Sequence, residues 1–195
     1  MATNIKGRGL SGLLRYTKTK VGEEGLKKVL DKLSEEDKAI FSRRVDSSEW
    51  YSFKTYVNLL VIIDKELGKG DLRLCEDIGR WSAERDIEAV YKIYTKNDSF
   101  KDPITLETAP QVMWKNYYDQ GDMVFPEIPK SRDETAPIRA RILDFPDAAK
   151  PNCSLLGGWI CRALEIISDV KVAVTEVKCR ADGDEYCEFL LTRKD

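Results

Sequence analysis

Apolar side chains recur at three- and four-residue spacing through the first two-thirds of the chain, then give way to alternation at period two. The early spacing is that of helices which bury one stripe, and the later one is that of half-buried strands. Ser34-Glu-Glu-Asp37 reads as a helix N-terminus, with an acid three residues after the serine and Leu33 placed as a staple. Asp46-Ser-Ser48 predicts a second start, for a helix through Trp50, Phe53, Val57, Leu60 and Ile63 that Gly68-Lys-Gly70 ends. A long helix is predicted from Asp71 to Tyr94, with Leu74, Ile78, Trp81, Ile87 and Tyr91 on its buried stripe. Another runs from Ala109 to Asp119 and carries Val112, Met113, Tyr117 and Tyr118.

Beyond Gly121 the rhythm changes. Met123-Val-Phe125 and Ile138-Arg-Ala-Arg-Ile142 predict strands, separated by a loop bracketed by prolines 126, 129 and 137. One more helix is expected from Cys153 to Ile167, with Asn152 as its cap and Leu156, Ile160, Leu164 and Ile167 on one face. Val170 to Cys179 and Tyr186 to Arg193 then form a hairpin. Strands so close in sequence pair antiparallel, so the expected class is α+β: a twisted antiparallel sheet packed with helices. The expected organisation is a helical N-terminal region, 1–122, packed on the sheet, and an α/β C-terminal region, 123–195, together one compact domain.

Charge and composition narrow the function. Lys plus Arg (32) nearly balance Asp plus Glu (34), so no strong field favours nucleic acid or an anionic membrane. The basic N-terminal stretch (Lys6, Arg8, Arg15, Lys18, Lys20) lacks accompanying stacking residues or a reading motif, and is read as a solvated helix face. The first residues lack the apolar core of a secretory signal, and the run Leu59 to Ile63 is too short to span a bilayer. Five cysteines are an odd, sparse set that suits a reducing cytoplasm. The chain has no histidine. That removes Ser-His-Asp and Cys-His catalysis, histidine zinc sites and a haem with a proximal histidine, and the expectation is a binding module rather than an enzyme.

The densest candidate chemistry lies near the C-terminal end. Cys153, Glu176, Cys179 and Cys187 supply three thiols and a carboxylate, a donor set for a closed tetrahedral zinc site of the structural kind. If Asp182-Gly183-Asp184 forms a three-residue loop with Gly183 left-handed, Cys179 stands opposite Cys187. Cys153 falls in the first turn of its helix, where the dipole favours a thiolate. Glu176 has the opposite parity to Cys179 along a regular strand, so a bulge or twist must bring it round, or a water completes the set. Two other readings stay open: a Cys179–Cys187 disulfide, and ordinary buried thiols, the class to which Cys75 and Cys161 are assigned. Gly7-Arg-Gly9-Leu-Ser-Gly12 matches a dinucleotide fingerprint by letter but lacks the strand–turn–helix context, and is read as a flexible entry.

The run Cys153-Ser-Leu-Leu-Gly-Gly158-Trp-Ile, followed by Glu176-x-x-Cys179-x-x-x-Gly183-Asp-x-x-Cys187-x-Phe189, resembles the 4-vinyl reductase-type ligand-binding domain. That family shares a superfamily with haem-nitric-oxide-binding domains and the small subunits of the TRAPP vesicle-tethering complex. The specific match covers about 135–193. Trp50-Tyr51, Gly79-Arg80 and Trp114-Lys-Asn-Tyr-Tyr118 are similar to stand-alone bacterial paralogues. The resemblance implies an α/β sensor fold in which a zinc ion held by three cysteines and an acid sits beside an apolar pocket. Carried over, the ligands are Cys153, Glu176, Cys179 and Cys187, which selects Glu176 over water. It further implies a pocket for a small apolar or aromatic molecule, with Trp50, Tyr56, Trp81, Tyr91, Trp114 and Tyr118 as candidate lining, and frequent homodimerisation.

Where the chain departs from the family, the expectation changes. Phenol sensors of the family use a pocket histidine and the haem-binding relatives an axial one; with neither here, a phenol-type ligand and haem are not expected. With no ATPase or DNA-binding domain following, the signal is expected to leave through an unknown protein partner. The leading expectation is thus a cytoplasmic, zinc-stapled small-molecule sensor. A TRAPP-like scaffold with a vestigial pocket comes second, and a zinc enzyme last.

Overall fold

The computed structural model describes residues 2–89, 103–126 and 136–194. The chain opens with β1 (Asn4–Lys6), which runs straight into α1 (Gly7–Leu30), broken at Gly22 by a left-handed φ of 72°. Helix α2 (Glu35–Phe41) starts as its sequence predicts: the Asp37 N–H donates to Ser34 Oγ, and Leu33 beside it is buried. Asp37 is itself buried and also accepts from Thr55 and Asn58 on α3 (Phe53–Leu67), which ties the cap to the neighbouring helix.

One predicted helix start is corrected. Residues Trp50–Ser52 are not helical but form β2, antiparallel to β1 with Ile5 opposite Tyr51. The helix begins only at Phe53, and Gly68 caps its end as expected. Pairing across more than forty residues overrides the Asp-Ser-Ser start signal; the Asp46 side chain instead accepts from Ser48 in a local turn. Gly7 is no flexible entry either. A Cβ there would stand 1.9 Å from the Asp46 carbonyl oxygen, so its lack of a side chain admits the 46–49 turn.

Helix α4 (Arg73–Ala89) follows, and the predicted stripe is buried at Ile78 and Ile87; Tyr91 lies outside the described residues. Helix α5 (Pro103–Lys115) is displaced towards the N-terminus from its predicted span and is followed by a bridge from Tyr118 to Ile5 that fastens it to β1. The larger sheet has the order β3-β4-β6-β5, all neighbours antiparallel: β3 (Asp122–Val124), β4 (Ile138–Leu143), β6 (Cys187–Arg193) and β5 (Val172–Lys178).

Helix α6 (Lys150–Ser168) lies across this sheet and packs on α4. Two glycines set that packing. A Cβ at Gly79 would meet the Leu155 carbonyl oxygen at 1.9 Å, and one at Gly158 would meet the Glu76 carbonyl oxygen at 2.1 Å, so the two backbones touch directly. The α6 start differs from expectation: Ala149 is the N-cap, Pro151 sits in the first turn, and Asn152 is fully buried inside the helix. The result is the expected antiparallel sheet covered by helices, with a second, two-stranded sheet in what had read as a purely helical region.

Candidate functional site

The hairpin β5–β6 and the start of α6 bring four ligand atoms together. Those of Cys153, Glu176, Cys179 and Cys187 all lie within 4.8 Å of one another, and the three cysteines are buried and unbridged. The Sγ atoms of Cys153 and Cys187, and of Cys179 and Cys153, are 3.8 Å apart. A disulfide needs about 2.05 Å. Zinc–sulfur bonds of about 2.3 Å at tetrahedral angles put sulfurs about 3.8 Å apart, so two of the three thiol–thiol edges have the length such an ion requires.

The parity problem of Glu176 has a local solution. Glu176 pairs with Phe189 and Lys178 with Glu188, so Val177 is an extra residue in the ladder, a bulge that leaves it half-exposed and turns the strand. Beyond Lys178, Cys179 leads into a 3-10 turn (Arg180–Asp182), and Gly183 closes it at φ 102°. The loop is longer than the predicted three residues, but the register still sets Cys179 across from Cys187. One oxygen of Glu176, Oε1, is buried with no hydrogen-bond partner, whereas Oε2 faces Lys150 Nζ at 3.5 Å. An orphaned carboxylate oxygen beside three thiols is the donor a cation would satisfy.

Surrounding groups are arranged for negative charge. Lys150 also pairs with Asp182, a contact that leads the upward shift of its ammonium pKa. The Arg180 N–H points at Cys187 Sγ from 3.4 Å, and Asp184 accepts from the Cys179 N–H. The hydrogen bond from Cys153 draws the Cys187 thiol down to about 7 and, with burial, pushes Cys153 far up; burial raises Cys179. Without a cation the three thiols cannot all ionise together. The donor set fits one structural zinc, which Cys153, Glu176, Cys179 and Cys187 would hold, and four protein ligands would leave no position for a substrate water.

A cavity of about 310 Å³ lies between α1, α4, α5 and α6. Of the aromatic residues expected to line a pocket, Tyr56, Trp81, Trp114 and Tyr118 do so. Trp50 does not: it is 44% exposed on β2, beneath the Lys6 ammonium. Trp114 stacks on Tyr118 with ring centres 4.2 Å apart, and Phe145 meets both edge-on. Burial raises the phenol pKa values of Tyr56 and Tyr118, which keeps both neutral.

Among the lining residues that escape the sequence reading are Asp86, Arg8 and Arg85. Asp86 accepts from Tyr117 Oη and Trp159 Nε1, each at 2.8 Å; burial holds it above the usual carboxylate range against those bonds and the nearby charge of Arg8. Arg8 and Arg85 flank the cavity with their guanidiniums over Tyr117 and Trp81. A trace was present for Asp86, since Ile78, Ser82 and Asp86 share one stripe of α4 at four-residue spacing.

Residues 141–193 match the 4-vinyl reductase domain family. No curated protein matches the chain. Among solved structures, a Shewanella oneidensis H-NOX domain in the Fe(II)CO state superposes with a TM-score of 0.70, at 14% identity over 97% of this chain and 99% of that one. The unliganded Fe(II) H-NOX protein of K. algicida gives 0.68 at 14% identity, over 97% of each chain. An oxygen-binding H-NOX domain related to soluble guanylate cyclases gives 0.60 at 13%, over 97% of this chain and 95% of that one. The family match is confined to the C-terminal third of the chain, and the likeness to the H-NOX structures is one of fold, over 97% of its length.

Proposed function

We propose that this protein is a sensor-type binding domain that encloses a small apolar or aromatic molecule and passes its state to a protein partner. The observation that carries the reading is the junction between cavity and cluster. Tyr118, a lining residue, bonds to Asn152, and the next residue in the chain is Cys153 of the four-ligand cluster. Zinc at that cluster would fix the β5–β6 hairpin against α6 and thereby hold one wall of the cavity. A cavity of about 310 Å³ is at the lower end of the range for small-molecule sites. It favours a ligand-binding role over a scaffold whose pocket has been filled.

The reading is of a binder and not an enzyme, because four protein ligands would leave zinc no open position for reaction. Haem is left out because the chain has no histidine to hold it from the proximal side. Reduced, buried thiols suit a cytoplasmic setting, and among the described residues no helix is long and apolar enough to cross a membrane. A homodimer is part of the proposal.

Native mass spectrometry of the purified protein, followed by a thermal-shift screen of small aromatic and aliphatic compounds, tests the reading. The expected outcome is a raised melting temperature for a subset of compounds, abolished by Leu156→Trp, which fills the cavity. Absence of any shift across the screen, with no small molecule retained in the native spectrum, would overturn it. The native mass also reports the homodimer.

A further inference from the structure

Among the described residues, the charged ones lining the cavity are Arg8, Arg15, Arg85 and Asp86. Three positive charges and one negative leave +2 there, on a chain whose net charge is -2. The only carboxylate among them is already engaged, since both of its oxygens accept from Tyr117 and one also from Trp159.

The arginines are not engaged in this way. Elsewhere on the molecule Arg80, Arg139, Arg141 and Arg162 pair with glutamates. Among the described residues, Arg8, Arg15 and Arg85 form no ion pair. Two of them are held by aromatic faces instead: the Arg85 guanidinium lies 4.3 Å from the centre of the Trp81 ring, and that of Arg8 lies 5.7 Å from Tyr117. A ring fixes the plane of a guanidinium and leaves its N–H fork unspent.

The backbone adds room for a headgroup. Arg8, Ser11, Gly12 and Arg15 fall on one stripe of α1 along the cavity. Nothing lies within 4 Å of where a Cβ on Gly12 would stand, so a notch opens between the two arginines. Arg15 and Arg85 are exposed and Arg8 is half-buried, which places this end of the cavity towards solvent, while Leu155, Leu156 and Trp114 line the apolar part.

We infer that the ligand is an amphipathic carboxylic acid. Its apolar or aromatic body sits among the aromatic and leucine side chains, and its carboxylate lies at the Gly12 notch within reach of the arginine forks. Bidentate carboxylate recognition is the task for which the planar guanidinium is suited. This inference rests on the ligand-binding reading above and adds the chemical class.

Three of the four tryptophans, Trp81, Trp114 and Trp159, line the cavity, so intrinsic fluorescence reports its occupancy. The full chain is titrated with three acids and their primary amides: 1-naphthoate, 4-phenylbutyrate and decanoate. The expected result is that the acids bind at least about tenfold more tightly than the amides. In an Arg15→Gln/Arg85→Gln variant that preference falls to nothing. Both side chains are exposed and form no ion pair, so the variant should melt close to the wild type, short only of the Arg85–Trp81 contact. Gly12→Leu, whose Cβ has open space and which favours the helix, should weaken the acids more than the amides. Equal binding of acids and amides by the wild type would overturn the carboxylate class and leave the ligand-binding reading standing. Binding of neither set would overturn both.

Discussion

The phenol of Tyr118 donates to the side-chain oxygen of Asn152 at 3.1 Å, in full burial. Tyr118 belongs to the cavity and Asn152 to the first turn of α6, one residue before Cys153. The bond therefore links the cavity wall to the residue that precedes the first thiol of the cluster. Asn152 has little slack, because its Nδ2 is already buried without a partner. Tyr118→Phe would leave its oxygen unsatisfied as well, and should cost about 1–2 kcal/mol. Urea unfolding checks this: the midpoint should fall while the slope stays that of the wild type.

Glu188 is buried on β6 between Arg139 and Arg141 of β4, bonded to the first at 2.7 Å and closely to the second. Burial alone would raise its pKa, but the bonds and charge of Arg141, then Arg139, outweigh it and bring the carboxyl below its usual range. A depressed carboxyl contributes stability above its unfolded value, about 4.3, and loses it as pH falls through the lower folded value. The arginines are about a third exposed, so solvent screening discounts the pair, and Glu188→Gln should cost roughly 2 kcal/mol at pH 7. Melting curves of both proteins from pH 7 downward should converge in strong acid, where the wild-type carboxyl is protonated too.

The α4–α6 contact leaves no space at Gly158. Its Cβ position is 2.1 Å from a backbone oxygen that cannot rotate away, so Gly158→Ala must force the helices apart. The gain in helix propensity, about 1 kcal/mol, offsets only part of the overpacking, and a net loss of about 2–3 kcal/mol is expected. Gly12→Ala, where the space is open, should stabilise the protein or leave it unchanged. Thermal melting of the two variants side by side checks the contrast.

Local patterns carried much of this structure into the sequence. The Ser34 cap, the Gly68 stop, the alternation of Ile138, Ala140 and Ile142, and the left-handed Gly183 all follow from forces acting within a few residues. Even the mismatch of Glu176 with strand parity pointed to the bulge at Val177. What stayed hidden depends on distant partners. Trp50 read as helical because nothing local shows that β1 will pair with β2. Asn152 read as a cap because its real partner, Tyr118, is 34 residues away. Arg8, Asp86 and Trp159 come from three helices, and each alone resembles an ordinary surface or packing residue; only the fold turns them towards one cavity.

The central claim is that Cys153, Glu176, Cys179 and Cys187 form a closed zinc centre that holds the wall of a ligand cavity. X-ray absorption at the zinc edge on the purified protein tests it most directly. The expected result is one zinc per chain with three sulfurs at about 2.3 Å and one oxygen at about 2.0–2.2 Å, the oxygen shell altered in Glu176→Ala. A stably folded protein without stoichiometric zinc, or a zinc shell with fewer than three sulfurs, would contradict it.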